Sequence, residues 1–375
     1  MSNDVFISDA RRTPVAPRGG AFSSLRVQDL CTPVIGAMHD PASSLSAVDL
    51  VVIGNALYGG GNPARLIALD AGISERVPAM TIDTQCCAGM DAISLAAGAI
   101  RSGRAEYALA GGVESFSRAP IRMHRGYGPA DEHVPYNRPP FTPWPERDPD
   151  MLDAAAELAT SHNITRSDQE EFAIQSHAKA RIAIAAGNFS AEIVPIAGTS
   201  NDEFTRELSQ RLCERLPDLA GKGPTAITTA TTAVEADAAA FVTLHHAPPA
   251  ATPAIRVLDD LSLGGDPAMP GLAPIDAAKA LLHRNRLHAG DLACIEIMEA
   301  FAAQAQAFIE ALSLPSSKLN ISGGALARGH PIGASGAILV VRLVHELRRL
   351  PPGSMGLAAI AGAGGLASCI LLKRV

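Results

Sequence analysis

The chain carries the same order of strands and helices twice, and this internal repeat constrains its fold more than any other feature. Up to about residue 115, β-rich runs such as VDLVVIG and YALAGG alternate with helix-like runs such as CAGMDAISLAAGAI. The order recurs from about residue 254, where strand-like AIRVLDDLSL precedes helix-like PIDAAKALLHRN. This alternation predicts an α/β fold on a mostly parallel sheet, and its recurrence indicates a diverged duplication.

Each copy places its third predicted strand before a small-residue segment and a helix. The first copy reads TIDTQCCAGMDAIS, and the second reads LNISGGALARGHPIGASGAI, with KLNIS predicted as the strand. If the copies pack about a pseudo-twofold axis, Cys86 and the region of His330 fall at equivalent places. They could then face one another across the junction between the copies.

Residues 116–237 differ in character and are predicted to form a lobe inserted in the first copy. The segment is rich in proline before residue 150 and then becomes helical. Ser167 is predicted to cap the helix in SDQEEFAIQSHAKARIAIAAG, with Glu170 completing a capping box. The run AAAFVTLHH is predicted to return to the first sheet. The predicted domains are therefore 1–115, completed by about 238–250, then 116–237 and 251–375.

The composition excludes several classes of function. The 38 acidic and 31 basic residues give a net charge of -7 without the basic stripe that nucleic acid binding requires. No apolar run reaches membrane-spanning length, and the start of the chain lacks a signal-peptide pattern. The six cysteines show neither a disulfide framework nor zinc spacing. We expect a cytoplasmic protein with reduced thiols and with no metal, nucleic acid or membrane partner.

Two segments superficially resemble known motifs but fail their structural requirements. GAGGLAS at 362–368 is glycine-rich, yet only a short apolar run follows it, so no dinucleotide-binding βαβ unit can be completed. HELRR at 345–349 lacks the second histidine of a zinc H-E-x-x-H site.

The adjacent cysteines in TQCCAGMDAI raise the question of a nucleophile. Cys86 is predicted at a helix start, where the helix dipole and unpaired N–H groups stabilise a thiolate. Taken alone, this segment favours the interpretation that Cys86 and Cys87 are both small buried core residues, because free cysteine is among the most buried residue types. His330, fixed between glycine and proline at the symmetry-related helix start, makes Cys86 a candidate for base-activated catalysis.

The sequence resembles the thiolase family over nearly its whole length. The resemblance rests on ordered segments, of which the last is the most specific: ARRTPVAPRGGAF, GNPAR, TQCCAGMDAI, AGGVESFSRAP, MEAFAAQ and GGALARGHPIGASGAI. It implies a thiolase fold of two duplicated βαβαβαββ halves in five αβαβα layers, with an inserted loop domain. It also implies a homodimer or homotetramer without a permanently bound cofactor, whose substrate is a coenzyme A thioester of the kind used in fatty acid metabolism.

The resemblance also assigns roles to individual residues. Cys86 matches the acylated cysteine of the family, and His330 matches the histidine that activates it. The backbone N–H groups of Cys86 and Ala361 match the donors to the acyl-enzyme oxyanion.

Two positions depart from the family pattern where the carbon–carbon step is served. Met298 stands where asparagine or histidine usually precedes EAF, and a thioether cannot donate a hydrogen bond. Ala359 stands where a second cysteine usually acts as acid and base. Positioned acid–base groups and oxyanion donors each contribute roughly a hundred- to ten-thousand-fold in rate, so we expect acylation to survive and Claisen condensation or thiolysis to be slow.

The segments that match coenzyme A contacts depart as well. Met151 matches a contacting methionine, but Leu152 replaces the glycine that follows it. Ala233 stands where the family often has a contacting serine, and the basic residue before a loop proline is Leu216, with Arg215 adjacent. Coenzyme A is then held differently, or another thioester carrier takes its place.

Three functions remain open from the sequence. The first is a thiolase-like acyltransferase that forms an S-acyl intermediate on Cys86. The second is a catalytically reduced acyl-CoA-binding or assembly subunit, which the residues at 298 and 359 favour. The third and weaker one is a thioester hydrolase, because the loss of the second thiol leaves room for water.

Overall fold

A computed structural model describes residues 4–38, 45–128, 131–249 and 252–375. The first copy and its returning strand have the same alternation that the sequence predicts. Their elements are β1 Val5–Arg12, β2 Ala16–Pro17, α1 Val27–Gly36, β3 Leu50–Gly54, α2 Pro63–Asp70, β4 Ala79–Ile82, α3 Ala88–Arg101, β5 Tyr107–Ser115 and, after the inserted segment, β10 Ala236–His245.

The inserted segment and the second copy complete the described chain. The inserted elements are β6 Arg122–His124, β7 Val134–Tyr136, α4 Met151–Ser161, α5 Arg166–Ala185, α6 Gln210–Cys213, β8 Asp218–Ala220 and β9 Ile227–Thr228. Those of the second copy are β11 Ile255–Gly264, α7 Ala273–Arg284, β12 Cys294–Ile297, α8 Ala302–Leu312, α9 Ala325–Arg328, α10 Ile332–Arg349, β13 Met355–Gly362 and β14 Leu366–Arg374. The predicted boundary at 250 and 251 lies outside the described residues.

The strands form one hydrogen-bonded path that runs through both copies. Its order is β12-β13-β14-β11-β1-β10-β5-β3-β4, and β2 also pairs with β10. The seam between the copies is β1, which is antiparallel to β10 on one side and to β11 on the other. The outer pairs β3–β4, β3–β5 and β12–β13 are parallel, as expected where helices connect the strands.

Helices α3 and α10 lie between the strands of the two copies and form the centre of the molecule. Their apolar side chains pack with strands of both copies in one large core. Helices α1 and α2 cover the outer face of the first-copy strands, and α7 and α8 cover that of the second. The sequence of layers is therefore α, β, α, β, α, which confirms the predicted fold class.

The two central helices approach so closely that glycine is required at the contact. A Cβ added to Gly89 of α3 would lie 2.7 Å from the carbonyl oxygen of Gly333 in α10. One added to Gly336 would lie 2.7 Å from the backbone nitrogen of Met90. Both distances are shorter than a carbon atom tolerates, so the small residues hold the starts of α3 and α10 side by side.

The predicted strand KLNIS is wrong, because a side chain replaces the expected ladder. Only Leu319 forms an isolated parallel bridge, with Ile295. Asn320 has a φ of 40°, and its Oδ1 accepts from the Ile297 N–H at 2.8 Å while its Nδ2 donates to the Ile297 carbonyl at 3.1 Å. The amide of Asn320 thus pairs with β12 in place of a continuing backbone.

The predicted cap of the long inserted helix is also wrong, by two residues. Helix α5 begins at Arg166, with Thr165 as the N-cap and Asp168 completing the capping box, so Ser167 is already within the first turn. Within the described part of the chain, none of the helices is long and apolar enough to span a bilayer.

Candidate active site

Cys86 lies on a 3-10 turn, Gln85–Cys87, that leads from β4 into α3. Gln85 has a φ of 56°, an uncommon backbone conformation for a residue with a side chain. Its N–H donates to Asp83 Oδ1 at 2.9 Å, which holds the turn. Cys86 remains half-buried, whereas Cys87 is fully buried with its Sγ 3.7 Å from the Ile360 carbonyl oxygen, as a packing residue.

The structure brings His330 to Cys86 across the junction of the two copies. The distance from His330 Nε2 to Cys86 Sγ is 3.2 Å. The His330 backbone N–H donates to the Val234 carbonyl at 2.7 Å, which fixes the residue against the chain entering β10. Two residues predicted from equivalent helix starts therefore meet at one point.

Ser335 sets the orientation of the His330 ring. Its Oγ lies 2.7 Å from His330 Nδ1 and also donates to the Pro331 carbonyl at 3.0 Å. Because a hydroxyl has a single proton, the serine oxygen must accept from Nδ1–H. This assignment leaves Nε2 unprotonated and directed at Cys86, as a base requires.

Burial shifts the pKa of both members of the pair so that neither is charged near neutrality. Desolvation raises the pKa of the Cys86 thiol to about 12, outweighing a hydrogen bond from the backbone of Ala363 that acts in the opposite direction. Burial lowers the pKa of His330 to about 4. The thiolate that the helix start was expected to favour is therefore not the resting state, and it must form by proton transfer to His330.

The buried carboxyl group of Glu114 connects several segments around the site, and the sequence analysis did not identify it. Glu114 Oε2 accepts from the N–H groups of Ala56 at 3.1 Å and Gly333 at 3.0 Å, and Oε1 accepts from Asn55 Nδ2 at 2.7 Å. Burial raises the pKa of Glu114 to about 7 despite these donors. Glu114 therefore fastens the start of α10, three residues beyond His330, to β5 and to the end of β3.

Cys86 and His330 line a cavity of about 360 Å³, which is bordered by residues of both copies and of the inserted segment. Five of the predicted site residues line it, namely Cys86, Met151, Ala233, His330 and Ala361. Most of the remaining lining is apolar, including Phe116, Phe141, Leu152, Leu158 and Phe301.

The other predicted positions lie outside this lining. Met298 is 2% exposed and borders a separate small void with Ser335 and Arg328. Ala359 is 1% exposed, and strand alternation places it on the same face of β13 as Ala361, two residues deeper. Arg215 is exposed and does not contribute to the lining. Among the described residues, no group of three or more His, Cys, Asp or Glu side chains is arranged to hold a metal ion.

Comparisons with known proteins agree with this architecture. The family model described as thiolase, N-terminal domain, matches residues 5–246, and that described as thiolase, C-terminal domain, matches residues 251–374. A Bacillus subtilis (strain 168) protein named "Putative acetyl-CoA C-acetyltransferase YhfS" is 35% identical over 373 residues, which is 98% of each chain.

Solved structures show the same likeness. The crystal structure of human mitochondrial 3-ketoacyl-CoA thiolase in complex with CoA has a TM-score of 0.90 and 28% identity, over 99% of this chain and 98% of that one. That of the Bacillus anthracis acetyl-CoA acetyltransferase has a TM-score of 0.90 and 30% identity, over 100% of both chains.

Proposed function

The chain belongs to the thiolase family, and we propose that this acyltransferase forms an S-acyl intermediate on Cys86 from an acyl-CoA thioester. The observation that carries the proposal is the distance of 3.2 Å between Cys86 Sγ and His330 Nε2 in the lining of a largely apolar cavity. Nucleophilic catalysis requires a nucleophile within reach of a base that a third group orients, and Ser335 is that third group.

Acylation then follows from the groups present. As the thioester carbonyl reaches Cys86, the thiol proton passes to His330 Nε2 and Sγ bonds to the carbonyl carbon. The backbone N–H groups of Cys86 and Ala361 stabilise the oxyanion. When the tetrahedral intermediate collapses, the carbon–sulfur bond to coenzyme A breaks and the departing thiolate takes the proton from His330. The histidine is neutral again, and the acyl group is on Cys86.

The family reaction continues with thiolysis or Claisen condensation of a 3-ketoacyl-CoA, and this carbon–carbon step is the weaker one here. Neither Met298 nor Ala359 lines the cavity, and neither side chain can exchange a proton. We propose that acylation is fast relative to proton transfer at the attacking carbon.

A catalytically reduced acyl-CoA-binding or assembly subunit is the second candidate, and the residues at 298 and 359 favour it. The oriented pair of Cys86 and His330 supports the acyltransferase instead, because a binding subunit needs neither a base nor a fixed tautomer. A hydrolase shares the acylation step and differs only in passing the acyl group to water.

The acyl-enzyme is tested by intact-protein mass spectrometry after incubation with acetyl-CoA and longer acyl-CoAs. We expect one acyl adduct that disappears in Cys86→Ala and persists in Cys87→Ala, the matched control at the neighbouring buried thiol. An adduct that survives in Cys86→Ala contradicts the proposal. Thiolysis of acetoacetyl-CoA, measured beside free acid release, then separates the transferase from the binding subunit and the hydrolase.

We also propose that the chain assembles as a homodimer through the free edge of β4. This strand ends the sheet path, and three large apolar side chains near it are about half exposed: Leu66 at 50%, Leu69 at 46% and Met80 at 48%. An exposed apolar edge strand is prone to pair with another chain. Light scattering should give a dimer for the native protein and a monomer for Met80→Asp.

A further inference from the structure

Gln304 is a buried polar residue without a described role in the site. It lies on α8 within the cavity lining and is 4% exposed. Its side chain packs closely at the cavity wall, since a Cβ added to Gly271 would lie 3.1 Å from Gln304 Cγ and 2.9 Å from Leu158 Cδ1. The Oε1 atom is buried without a hydrogen-bond partner among the described residues.

The other polar side chains of the lining, outside the catalytic pair, are already engaged with neighbouring protein groups. These contacts are Gln85 Nε2 to Asp83 Oδ1, Thr232 Oγ1 to the Thr228 carbonyl, and Arg18 Nη1 to Glu235 Oε2. Among the described residues of this lining, Gln304 is thus the one whose buried acceptor atom has no hydrogen-bond partner. Buried polar groups in folded proteins normally find partners, so an exception on a residue that lines a cavity points to a ligand.

The carboxamide of Gln304 restricts the chemistry of that ligand. It offers one acceptor and two N–H donors, and a secondary amide offers the complementary N–H and carbonyl. An acyl-CoA contains such a group close to the reacting atoms, because two methylenes join the thioester sulfur to the first amide of its pantetheine arm. When the thioester sulfur lies beside Cys86, the amide nitrogen lies about 4 Å from that sulfur, as standard bond lengths require.

We propose that Gln304 binds the pantetheine amide nearest the thioester and so selects substrates that carry it. The inference rests on the proposed function and adds a specificity-determining residue to it. Ala233 in the same lining offers only a methyl group, which forms no hydrogen bond with an amide. The apolar side chains of the lining, such as Leu158 and Phe301, offer that amide no hydrogen bond.

The experiment compares two acetyl thioesters in single-turnover acylation of Cys86, followed by mass spectrometry. S-acetyl-N-acetylcysteamine retains the amide, and S-pentyl thioacetate replaces it with two methylenes. We expect the native protein to prefer the amide substrate by about 10- to 100-fold. In Gln304→Leu the preference should fall to within about two-fold. Gln306→Leu, on the same helix but outside the cavity lining, should keep the native preference.

Two results would overturn the inference. One is an undiminished preference in Gln304→Leu, and the other is an equal loss of rate with both thioesters, which would place Gln304 in the reaction or the packing instead. Failure of the native protein to be acylated by acetyl-CoA would contradict the proposed function, a separate outcome. Because Gln304→Leu removes a buried unpartnered polar group, its thermal midpoint should equal or exceed that of the native protein.

Discussion

Cys86 and His330 are 244 positions apart in the chain, and their reactive atoms are 3.2 Å apart in the structure. Each copy of the duplicated unit supplies one member of the pair at the start of its central helix. The glycine contacts between α3 and α10 therefore determine catalytic distance as well as packing, because a shift of either helix moves one reacting atom away from the other.

The acylation rate should depend on pH through His330. The base must be neutral, and burial lowers its pKa to about 4, so activity should be lost only as the pH falls through about 4. Single-turnover acylation by acetyl-CoA between pH 4 and 8 measures this. An inflection near the ordinary histidine value of about 6.5 would show that His330 is not desolvated as described.

Ser335→Ala should slow acylation by about 10- to 100-fold, because Nδ1–H loses its acceptor and the ring no longer favours the tautomer with a free Nε2. Ser368→Ala is the matched control, since Ser368 is a buried serine bonded to Asp91 instead of His330. Similar thermal midpoints with different acylation rates would establish the orienting role. Equal rates in the two variants would contradict it.

Ala359→Cys should raise thiolysis of acetoacetyl-CoA by about 10- to 100-fold while changing acylation little, because it restores an acid–base thiol on the Ala361 face of β13. Ala358→Cys is the control, since its side chain faces the central helices on the opposite side of the strand. Acetyl-CoA release and the acyl adduct should be followed in parallel. Faster thiolysis in Ala358→Cys, or an unchanged thiolysis rate in Ala359→Cys, would exclude Ala359 as the limiting position.

Glu114 should make the protein less stable as the pH rises from about 4.5 to about 7. Its pKa is about 7 when folded and near 4.5 when unfolded, so the folded state holds the additional proton in this window and stability falls as that proton is lost. In urea unfolding, the free energy of unfolding of Glu114→Gln should fall less over this pH window than that of the native protein. At pH 5 it should be about 1 to 3 kcal/mol lower than the native value, because the hydrogen bonds of the side chain change. If the free energy of unfolding of Glu114→Gln depends on pH as steeply as that of the native protein, Glu114 is not the group that titrates in this window.

Much of the site could be predicted because its two reacting residues lie in distinctive local sequences. Cys86 and His330 follow from the repeat and from the thiolase-like motifs. Ser335 could have been inferred, since it lies one helical turn after Pro331 and hence beside the histidine. Glu114 gave a weaker signal, a carboxyl group at the end of the apolar run YALAGGVES, but its partners Asn55 and Gly333 come from distant segments that no local pattern connects.

Other features depend on contacts that the sequence does not display. KLNIS has the composition of a strand, yet the side chain of Asn320 occupies the pairing positions on β12. Thr165 and Ser167 are both residue types that cap helices, and the sequence alone does not show that α5 begins at Arg166, directly after Thr165. Gln304 and Gln306 share helix α8, but Gln304 lines the cavity whereas Gln306 donates to the Asp168 carbonyl, and the sequence shows neither contact.

The position of β1 has a consequence for how the chain is made. This strand, Val5–Arg12, is synthesised well before its two partners, β10 and β11, which end at His245 and Gly264. Its edges remain unpaired until the whole segment between β1 and β10 has been synthesised, and such long-range pairing slows folding. Nascent chains that stall before β11 should therefore be targets for chaperones and prone to aggregate, whatever the stability of the finished protein.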